Sequence, residues 1–234
     1  MSGVTVTTAE STDLISVTEI KRQLRIATSD STHDTILAVM RDSAISIAKE
    51  YLNRSLVNRT LKLSLDTIPY QEDILPNKEG ITTGPYITQR KREVSLPFSP
   101  LVSVTSVITY DDDDTATTMA TSKYYVDTAS AIGRVVLRTG ETWPDMLRVA
   151  NAMEVTYVAG YGASAGDTPE AIRQGALILA AHLFENPDLV VRGDSVSTVP
   201  ALVNACWRPY RMTRFGVGYG GWQRHPILAI LDTR

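Results

Sequence analysis

Cysteine and histidine are scarce in this chain of 234 residues, and their scarcity argues against two kinds of site. A single cysteine, Cys206, cannot build an internal disulfide framework, and it fits synthesis in a reducing compartment. The three histidines and this cysteine contain no pair at zinc-ligand spacing. We therefore expect a chain that an ordinary hydrophobic core stabilises, without a cofactor or a structural metal.

Long apolar runs and a strong net charge are also missing. No run approaches the ~20 residues that span a bilayer, and the opening MSGVTVTTAESTDL lacks the basic start and apolar centre of a signal peptide. We expect no contact with a membrane. Lysine and arginine number 23 against 26 acidic residues, so the net charge is −3 and tight, sequence-independent DNA binding is not expected. The apolar share of 43% is that of a globular protein with one or two domains.

Helical periodicity appears first near the N-terminus. Ser16 and Glu19 have the spacing of a capping box, which predicts a short helix that ends near residue 25. A second helix is predicted from about Asp34, with Ser31 or Thr32 as its cap. Apolar residues then recur at helical spacing for nearly twenty residues, and charged residues occupy the other face.

Helical periodicity returns in the last third of the chain. A third helix is predicted over 171–186, with Thr168 as a possible cap and Pro169 at its start. Its middle is apolar on every side, so we expect neighbours all round it. A last short helix is predicted over 200–208, with Leu202, Val203 and Cys206 on its inner side.

Between the helices the period changes to that of strands. Leucines alternate with polar residues over 61–65, and this predicts a half-buried strand. Further strand candidates, separated by turn signals, lie at residues 94–96, 102–110, 124–126, 134–137 and 153–158. Short strands at this spacing favour an antiparallel meander or small barrel.

The predicted fold is therefore α+β. It is a small helical bundle, with two N-terminal and two C-terminal helices, an antiparallel β insertion and an extended C-terminal tail. The predicted regions are a flexible N-terminal arm (1–13), the helical bundle (14–56 and 168–212), the inserted β region (57–167, with a long loop at 69–92) and a C-terminal docking tail (213–234).

One motif resembles a catalytic site. Residues 162–166 read GASAG and match the nucleophile elbow of serine hydrolases, with Ser164 as the nucleophile. The following helix starts too late for that elbow, and the downstream histidines, His182 and His225, lie in an apolar helix and in the tail. Small residues in a loop account for the motif adequately, so we interpret it as a match that lacks the context of an elbow.

A run of four acids, residues 111–114, invites comparison with a calcium loop. Such a loop needs alternating ligands, a central glycine and a distal glutamate, and none follows here. We interpret the run as a solvated hairpin turn with side-chain-to-backbone hydrogen bonds.

Two basic segments are the candidate interaction sites. Arg90, Lys91 and Arg92 lie in the long loop, and Arg92 ends the run. The C-terminal tail interleaves arginine with aromatic residues and ends in an apolar run, a composition that suits docking to a partner. The residues predicted to dock are Arg211, Arg214, Phe215, Tyr219, Trp222, Arg224, Ile227, Leu228, Ile230 and Leu231.

The order of these features resembles the head–tail connector (adaptor) protein family of long-tailed bacteriophages and prophages. The resemblance spans about residues 14–212, and no single motif in it is specific. The segments that carry it are 15–25 (ISVTEIKRQLR), 48–54 (AKEYLNR), 96–97 (LP), 100–104 (PLVSV), 143–144 (WP), 155–162 (VTYVAGYG), 169–174 (PEAIRQ), 181–186 (AHLFEN) and 209–211 (PYR).

The resemblance implies a structural virion protein without catalytic activity. Such proteins form a ring, typically of about twelve copies, beneath the portal protein. The ring extends the channel through which double-stranded DNA passes and presents a platform to a neck (stopper) or tail-terminator protein. Assembly in the host bacterial cytoplasm, a ring interface on the second and third helices and a tail that clasps the portal are the accompanying expectations.

Two alternatives remain open from the sequence. One is the serine hydrolase that uses Ser164. The other is a tail-associated binding module whose β region grips a receptor or a glycan, which predicts clustered exposed aromatic residues. The aromatic residues available there are Tyr110, Tyr124, Tyr125, Trp143 and Tyr157.

Overall fold

The chain is described by a computed structural model, which covers residues 2–10, 12–68, 92–145, 147–186 and 201–212. It divides into two compact units, and each unit is formed by two separate stretches of sequence. The β unit comprises Met1–Ala9 and Arg59–Ala159, and the helical unit comprises Glu10–Asn58 and Gly160–Arg234. The fold is α+β, as the sequence predicts.

Four α-helices form the described part of the helical unit: α1 (Val17–Gln23), α2 (Asp34–Leu52), α3 (Glu170–Glu185) and α4 (Ala201–Trp207). The predicted capping box begins α1. The Glu19 carboxylate accepts from the Ser16 N–H at 2.7 Å, and the Ser16 hydroxyl accepts from the Glu19 N–H at 3.2 Å. Short 3₁₀ helices at Ala165–Asp167 and Arg208–Tyr210 precede α3 and follow α4.

The predicted cap of α2 is wrong, although the helix begins at the predicted residue. Neither Ser31 nor Thr32 caps it, because His33 occupies the N-cap position without a side-chain bond. Both the backbone N–H and the hydroxyl of Thr32 instead donate to the Asp30 carboxylate, at 2.9 and 2.6 Å. Thr32 therefore stabilises the turn before the helix.

The predicted cap of α3 is wrong for a different reason. Thr168 is buried, and its hydroxyl donates to the carbonyl oxygen of Leu56 at 2.8 Å. Pro169 then takes the N-cap position without a side-chain bond. The Thr168 hydroxyl, which the local sequence pattern assigns to capping α3, therefore bonds to Leu56, a residue distant in sequence.

Helices α2, α3 and α4 run in alternating directions. The His33 ring, at the start of α2, lies 5.6 Å from the Phe184 ring near the end of α3. At the other end of α3, the carbonyl oxygen of Ile172 accepts the indole N–H of Trp207 from the last residue of α4. Helix α3 is therefore antiparallel to both α2 and α4, which are parallel to each other.

A single apolar core holds the helical unit together. It draws on every helix, and its fully buried members include Ile20, Leu37, Ala44, Ala48, Leu52, Leu56, Ile172, Ala176, Ala180, Val203 and Trp207. The middle of α3 is not covered all round as predicted, since Leu177 and Ile178 are only partly buried. No helix of the described residues is both long and apolar enough to cross a membrane.

The described β unit consists of two antiparallel sheets. The strands are β1 (Ser2–Thr8), β2 (Arg59–Leu65), β3 (Glu93–Ser95), β4 (Leu101–Tyr110), β5 (Ala116–Thr118), β6 (Tyr124–Asp127), β7 (Arg134–Leu137) and β8 (Met153–Ala159). One sheet has the order β1-β2-β8-β4-β5, and the other has the order β3-β7-β6.

Alternation places one face of the larger sheet in the core. Leu63 of β2 lies opposite Val155 of β8, and Leu61 lies opposite Tyr157, so these side chains share the buried face. The Tyr157 hydroxyl donates to the carbonyl oxygen of Pro97 at 2.9 Å, which satisfies its polar group inside the core.

A strand replaces much of the predicted flexible arm. Residues 2–8 form β1, which pairs antiparallel with β2 and sets Val4 opposite Leu63. Alternating threonine and valine have high β-propensity, and β2 supplies the hydrogen-bonding edge that the sequence pattern does not reveal. Leu14 and Ile15, just beyond the arm, are buried.

Other departures are local. All three residues of β5 are exposed, so the sequence shows no alternation there and this strand was not predicted.

The boundary of the predicted β region (57–167) also differs. Residues 160–167 belong to the helical unit, because the Tyr161 N–H donates to the Leu56 carbonyl oxygen and the Asn58 N–H donates to the Gly162 carbonyl oxygen. Of the predicted long loop at 69–92, residues 69–91 lie outside the described residues.

Candidate functional site

The end of the described chain, residues 207–212, is fixed to the C-terminal end of α2. Trp207 is fully buried, and its ring centre lies 5.8 Å from that of Tyr51. The guanidinium carbon of Arg211 lies 4.7 Å from the centre of the same Tyr51 ring, within cation–π range. Tyr51 therefore connects the core of the helical unit to a cationic side chain at its surface.

Two hydrogen bonds complete this attachment. The Met212 N–H donates to the carbonyl oxygen of Leu52 at 3.0 Å. Leu52 is the last residue of α2, so its carbonyl oxygen has no hydrogen-bond donor within the helix. Arg54 Nε donates to the carbonyl oxygen of Tyr210 at 2.7 Å. We name this arrangement the tail root, formed by residues 207–212 with Tyr51, Leu52 and Arg54.

The tail root is cationic. Arg54, Arg208 and Arg211 lie within it, and the Arg54 guanidinium is 5.9 Å from the centre of the Tyr161 ring. Burial raises the pKa of Tyr161, while the charge of Arg54 acts in the opposite direction. Tyr161 therefore stays neutral at physiological pH and does not offset the arginine charges.

The described residues include only the beginning of the predicted docking tail. Arg211 lies in the tail root, whereas the rest of the predicted docking set lies outside the described residues: Arg214, Phe215, Tyr219, Trp222, Arg224, Ile227, Leu228, Ile230 and Leu231. The structure therefore gives the position from which this segment continues, at the C-terminal end of α2.

Of the predicted basic loop, only Arg92 is described, and Arg90 and Lys91 lie outside. The Arg92 guanidinium donates to the carbonyl oxygen of Arg138 at 2.5 Å, and its own carbonyl oxygen accepts the Leu137 N–H at 2.9 Å. Arg138 in turn lies 3.7 Å over the ring of Tyr125. Arg92 is thus held against the end of β7 within its own unit.

The smaller sheet carries an ion network across its three strands. Arg134 of β7 donates to Glu93 of β3 and to Asp127 of β6, each at 2.8 Å. Hydrogen bonds from Ser130 and Arg134 lower the pKa of Asp127 to about 2. This network fixes the order of the strands and also closes the turn that follows β6.

Ser164 acts as a local cap. Its hydroxyl accepts the Gly166 N–H at 3.2 Å, and its backbone N–H donates to the Asp167 carboxylate at 2.9 Å. His182 lies about 18 Å along α3 from the helix start that follows this turn. Its ring contacts the Asn186 side chain at 3.3 Å, and His225 lies outside the described residues. Of the described residues, Ser164 and His182 are not brought together as a triad requires.

The acidic run forms the predicted hairpin turn between β4 and β5. The Asp111 carboxylate accepts from the Asp113 and Thr115 N–H groups at 3.1 and 2.7 Å. Arg148 pairs with Asp114 at 3.2 Å. The described residues contain no cluster of histidine, cysteine or carboxylate side chains able to hold a metal ion.

The aromatic residues that the structure describes in the β unit do not form an exposed platform. Tyr124, Trp143 and Tyr157 are buried. Tyr125 is 54% exposed, and Arg138 covers one face of its ring. This arrangement offers little of the stacking surface that a glycan-binding module needs.

The helical unit exposes three apolar residues, two of which the helical spacing predicts to face inward. Those two, Ile36 on α2 and Leu202 on α4, are 50% and 57% exposed, and Val39 on α2 is 55% exposed. The signal was present in α2, because Ile36, Leu37, Val39 and Met40 are too many apolar residues for one buried face.

Comparison with solved structures identifies the fold. Among the similar structures is a chain from "Neck of empty GTA particle computed with C6 symmetry", with a TM-score of 0.69 and 21% sequence identity. A chain from "Neck of native GTA particle computed with C12 symmetry" has a TM-score of 0.64 and 20% identity. The chain shares its fold with neck proteins of gene transfer agent particles.

The likeness extends over nearly the whole of both proteins. It covers 92% of this chain and 98% of the neck chain, and the same coverage holds for a chain of the native gene transfer agent virion at 22% identity. No protein-family model matches the sequence, and no curated protein matches it. The similarity is therefore one of fold.

Proposed function

We propose that this protein is a structural component of the virion neck, a head–tail connector (adaptor) without catalytic activity. Twelve copies form a ring under the portal protein, extend the DNA channel and carry the next neck, stopper or tail-terminator protein. The protein is assembled in the host bacterial cytoplasm and resides at the head–tail interface of the particle.

One observation carries this proposal. The fold of both units matches that of neck chains along 98% of their length, in particles computed with sixfold and twelvefold symmetry. A rotationally symmetric ring needs two different, complementary surfaces on each copy. In the proposal, the exposed apolar residues on α2 and α4 belong to these surfaces.

The tail root supports the proposed portal contact. Its hydrogen bonds hold residues 207–212 at the C-terminal end of α2, on a cationic surface that includes Arg211. Arginine and aromatic residues are enriched in binding hot spots, and the C-terminal segment combines both types. We assign portal docking to Arg211 and to the predicted docking residues from Arg214 to Leu231.

The charge of the chain suits a DNA channel. A net charge of −3 presents few cations to phosphate groups, so double-stranded DNA passes without being retained. The basic loop of Arg90, Lys91 and Arg92 faces either this channel or a neighbouring copy in the proposal.

Co-purification with the portal tests this function. Portal rings of the matching phage are mixed with the full chain, with a chain ending at Met212, and with a full-length Ser164→Ala control whose change lies outside the tail. We expect the full chain and the control to co-purify with the portal rings. The shortened chain should not bind them.

Tail docking, the connector assignment and the absence of hydrolase activity can each be contradicted separately. Binding by the shortened chain would contradict tail docking and leave the connector assignment standing. Failure of the full chain to bind would overturn the connector assignment. Labelling of the full chain, but not of the Ser164→Ala control, by an active-site serine probe would instead favour a hydrolase.

A further inference from the structure

Helix α2 presents an outer stripe that changes character along its length. The stripe runs from exposed apolar residues through small residues to an acid: Ile36, Val39, Ser43, Ser46 and Glu50. These positions recur at intervals of three or four, so they share one face of the helix. The Ser43 hydroxyl donates to the Val39 carbonyl oxygen at 2.9 Å. Because this hydrogen bond satisfies the hydroxyl, Ser43 can pack against an apolar side chain of a partner.

Helix α4 presents a second outer stripe of opposite charge. Its exposed residues are Ala201, Leu202, Ala205 and, in the following turn, Arg208. Leu202 is 57% exposed, while Val203 and Trp207 face the core. This stripe therefore begins with apolar and small residues and ends with a cation.

The two stripes are aligned in level along the helical unit. Helices α2 and α4 are parallel, and the Tyr51–Trp207 ring contact sets their C-terminal ends side by side. Counting back five residues, or about 7.5 Å, from each ring puts Leu202 level with Ser46. Glu50 and Arg208 each adjoin one of the two ring residues, so they lie within one helical turn of each other in level.

Both charges are available for a partner. Among the described residues, neither Glu50 nor Arg208 takes part in an ion pair with its own chain. In a ring of many copies the rotation between neighbours is small, so α4 of one copy stays parallel to α2 of the next. Opposite charges then meet at one end of the contact, and apolar residues meet small ones at the other.

We propose that the outer stripe of α4 packs against the outer stripe of α2 in a second copy of this chain. Leu202 rests on Ser43 and Ser46 beside Val39, and Arg208 pairs with Glu50. The contact uses two different patches, as a closed ring requires. This inference rests on the proposed ring, and it assigns the ring contact to α2 and α4 in place of the α2 and α3 expected from the sequence.

Engineered cysteines test the contact. In a Cys206→Ser background, Ser46→Cys and Leu202→Cys are introduced together, and the protein is oxidised on portal rings. We expect a ladder of covalent oligomers. A mixture of the two single variants should stop at dimers, because each chain then carries only one half of the contact. Either single variant alone should give no cross-linked product.

Charge reversal provides an independent test. Glu50→Arg and Arg208→Glu should each reduce ring assembly about tenfold or more, because like charges then face each other. The double variant should restore assembly. Val149→Glu adds a charge at a side chain of the β unit that is 91% exposed, and it should have no effect.

Complete rings on portal, with neither cross-links nor any effect of charge reversal, would overturn this interface and leave the proposed function intact. Failure of the unmodified chain to bind portal would overturn both. Cross-linked dimers from one single variant would show a self-complementary contact and would also overturn the inference.

Discussion

Single residues set the closest packing where α3 meets the indole of Trp207. Gly175 lies in that helix, and a Cβ atom there would overlap the indole ring. Glycine inside a helix normally costs about 1 kcal/mol relative to alanine. Its presence here is explained by the buried Trp207, whose N–H is bonded to Ile172.

We expect Gly175→Ala to destabilise the protein by about 1–3 kcal/mol, against its helix propensity, because the core must move to admit the methyl group. Urea unfolding followed by circular dichroism measures the change. Gly3→Ala is the matched control, since a Cβ at Gly3 meets nothing within 4 Å. An unchanged or increased free energy of unfolding for Gly175→Ala would contradict the packing argument.

The acid sensitivity of the β unit also belongs to single residues. The pKa of Asp127 is lowered from its usual 3.8 to about 2 in the folded chain. Its stabilising effect is therefore present above about pH 4 and is lost as the pH falls towards 2, where unfolding takes up a proton. We expect Asp127→Asn to flatten this part of the stability curve.

Thermal melts at intervals between pH 5 and pH 2 measure the effect. Asp112→Asn is a suitable control, because it removes a carboxylate from the exposed turn after β4, which is not part of the ion network of the smaller sheet. Identical pH dependence of the Asp127→Asn variant and the unmodified chain would show that the ion network does not act in solution.

Residue-level prediction succeeded where the chemistry is local. Ser16 and Glu19 lie three residues apart, and the capping box between them needs nothing else. Thr168 had an equally good local pattern, but Leu56 takes its hydroxyl from far away in sequence. Only tertiary structure decides such a competition.

At the scale of elements, β1 is the clearest departure from the predicted fold. It covers the edge of β2, whose alternating leucines contribute to the core. Without β1 that edge would carry unpaired backbone groups, which favour association with other chains.

Deleting residues 1–8 should therefore destabilise the chain by about 2 kcal/mol, or about 4–8 °C in melting temperature. It should also raise aggregation on heating. Differential scanning calorimetry and light scattering measure the two effects. Val6→Thr keeps the strand at a side chain that is 52% exposed, and it should behave as the unmodified chain. Equal melting temperatures for the deletion and the unmodified chain would show that β1 contributes nothing.

Elements with a strong period were predictable, and those without one were not. The alternation at Leu61, Leu63 and Leu65 predicted β2, and the long apolar stripe predicted α2. Strand β5 has three exposed residues and exists because β4 offers it an edge. The outward position of Ile36 was also not predicted. The sequence pattern shows that Ile36 is apolar, but it does not show whether another part of the chain packs against it.

At the scale of the whole molecule, the order of features in the sequence was enough to suggest the architecture. The chain matches chains of gene transfer agent particles at only 20–22% identity, yet the structural similarity covers 92% of it. The candidate site was less predictable. Arg211 is the one predicted docking residue of the tail that the structure describes, and its contact with Tyr51 joins distant segments.

The division into discontinuous units has a consequence for synthesis on the ribosome. The first strand to emerge, β1, has no partner until β2 is made, and the larger sheet needs β8, which pairs with both β2 and β4. The helical unit can complete its core only later, because that core includes Trp207, which is synthesised near the end of the chain. Neither half can finish folding while the chain is young, so nascent chains should mature late and almost together.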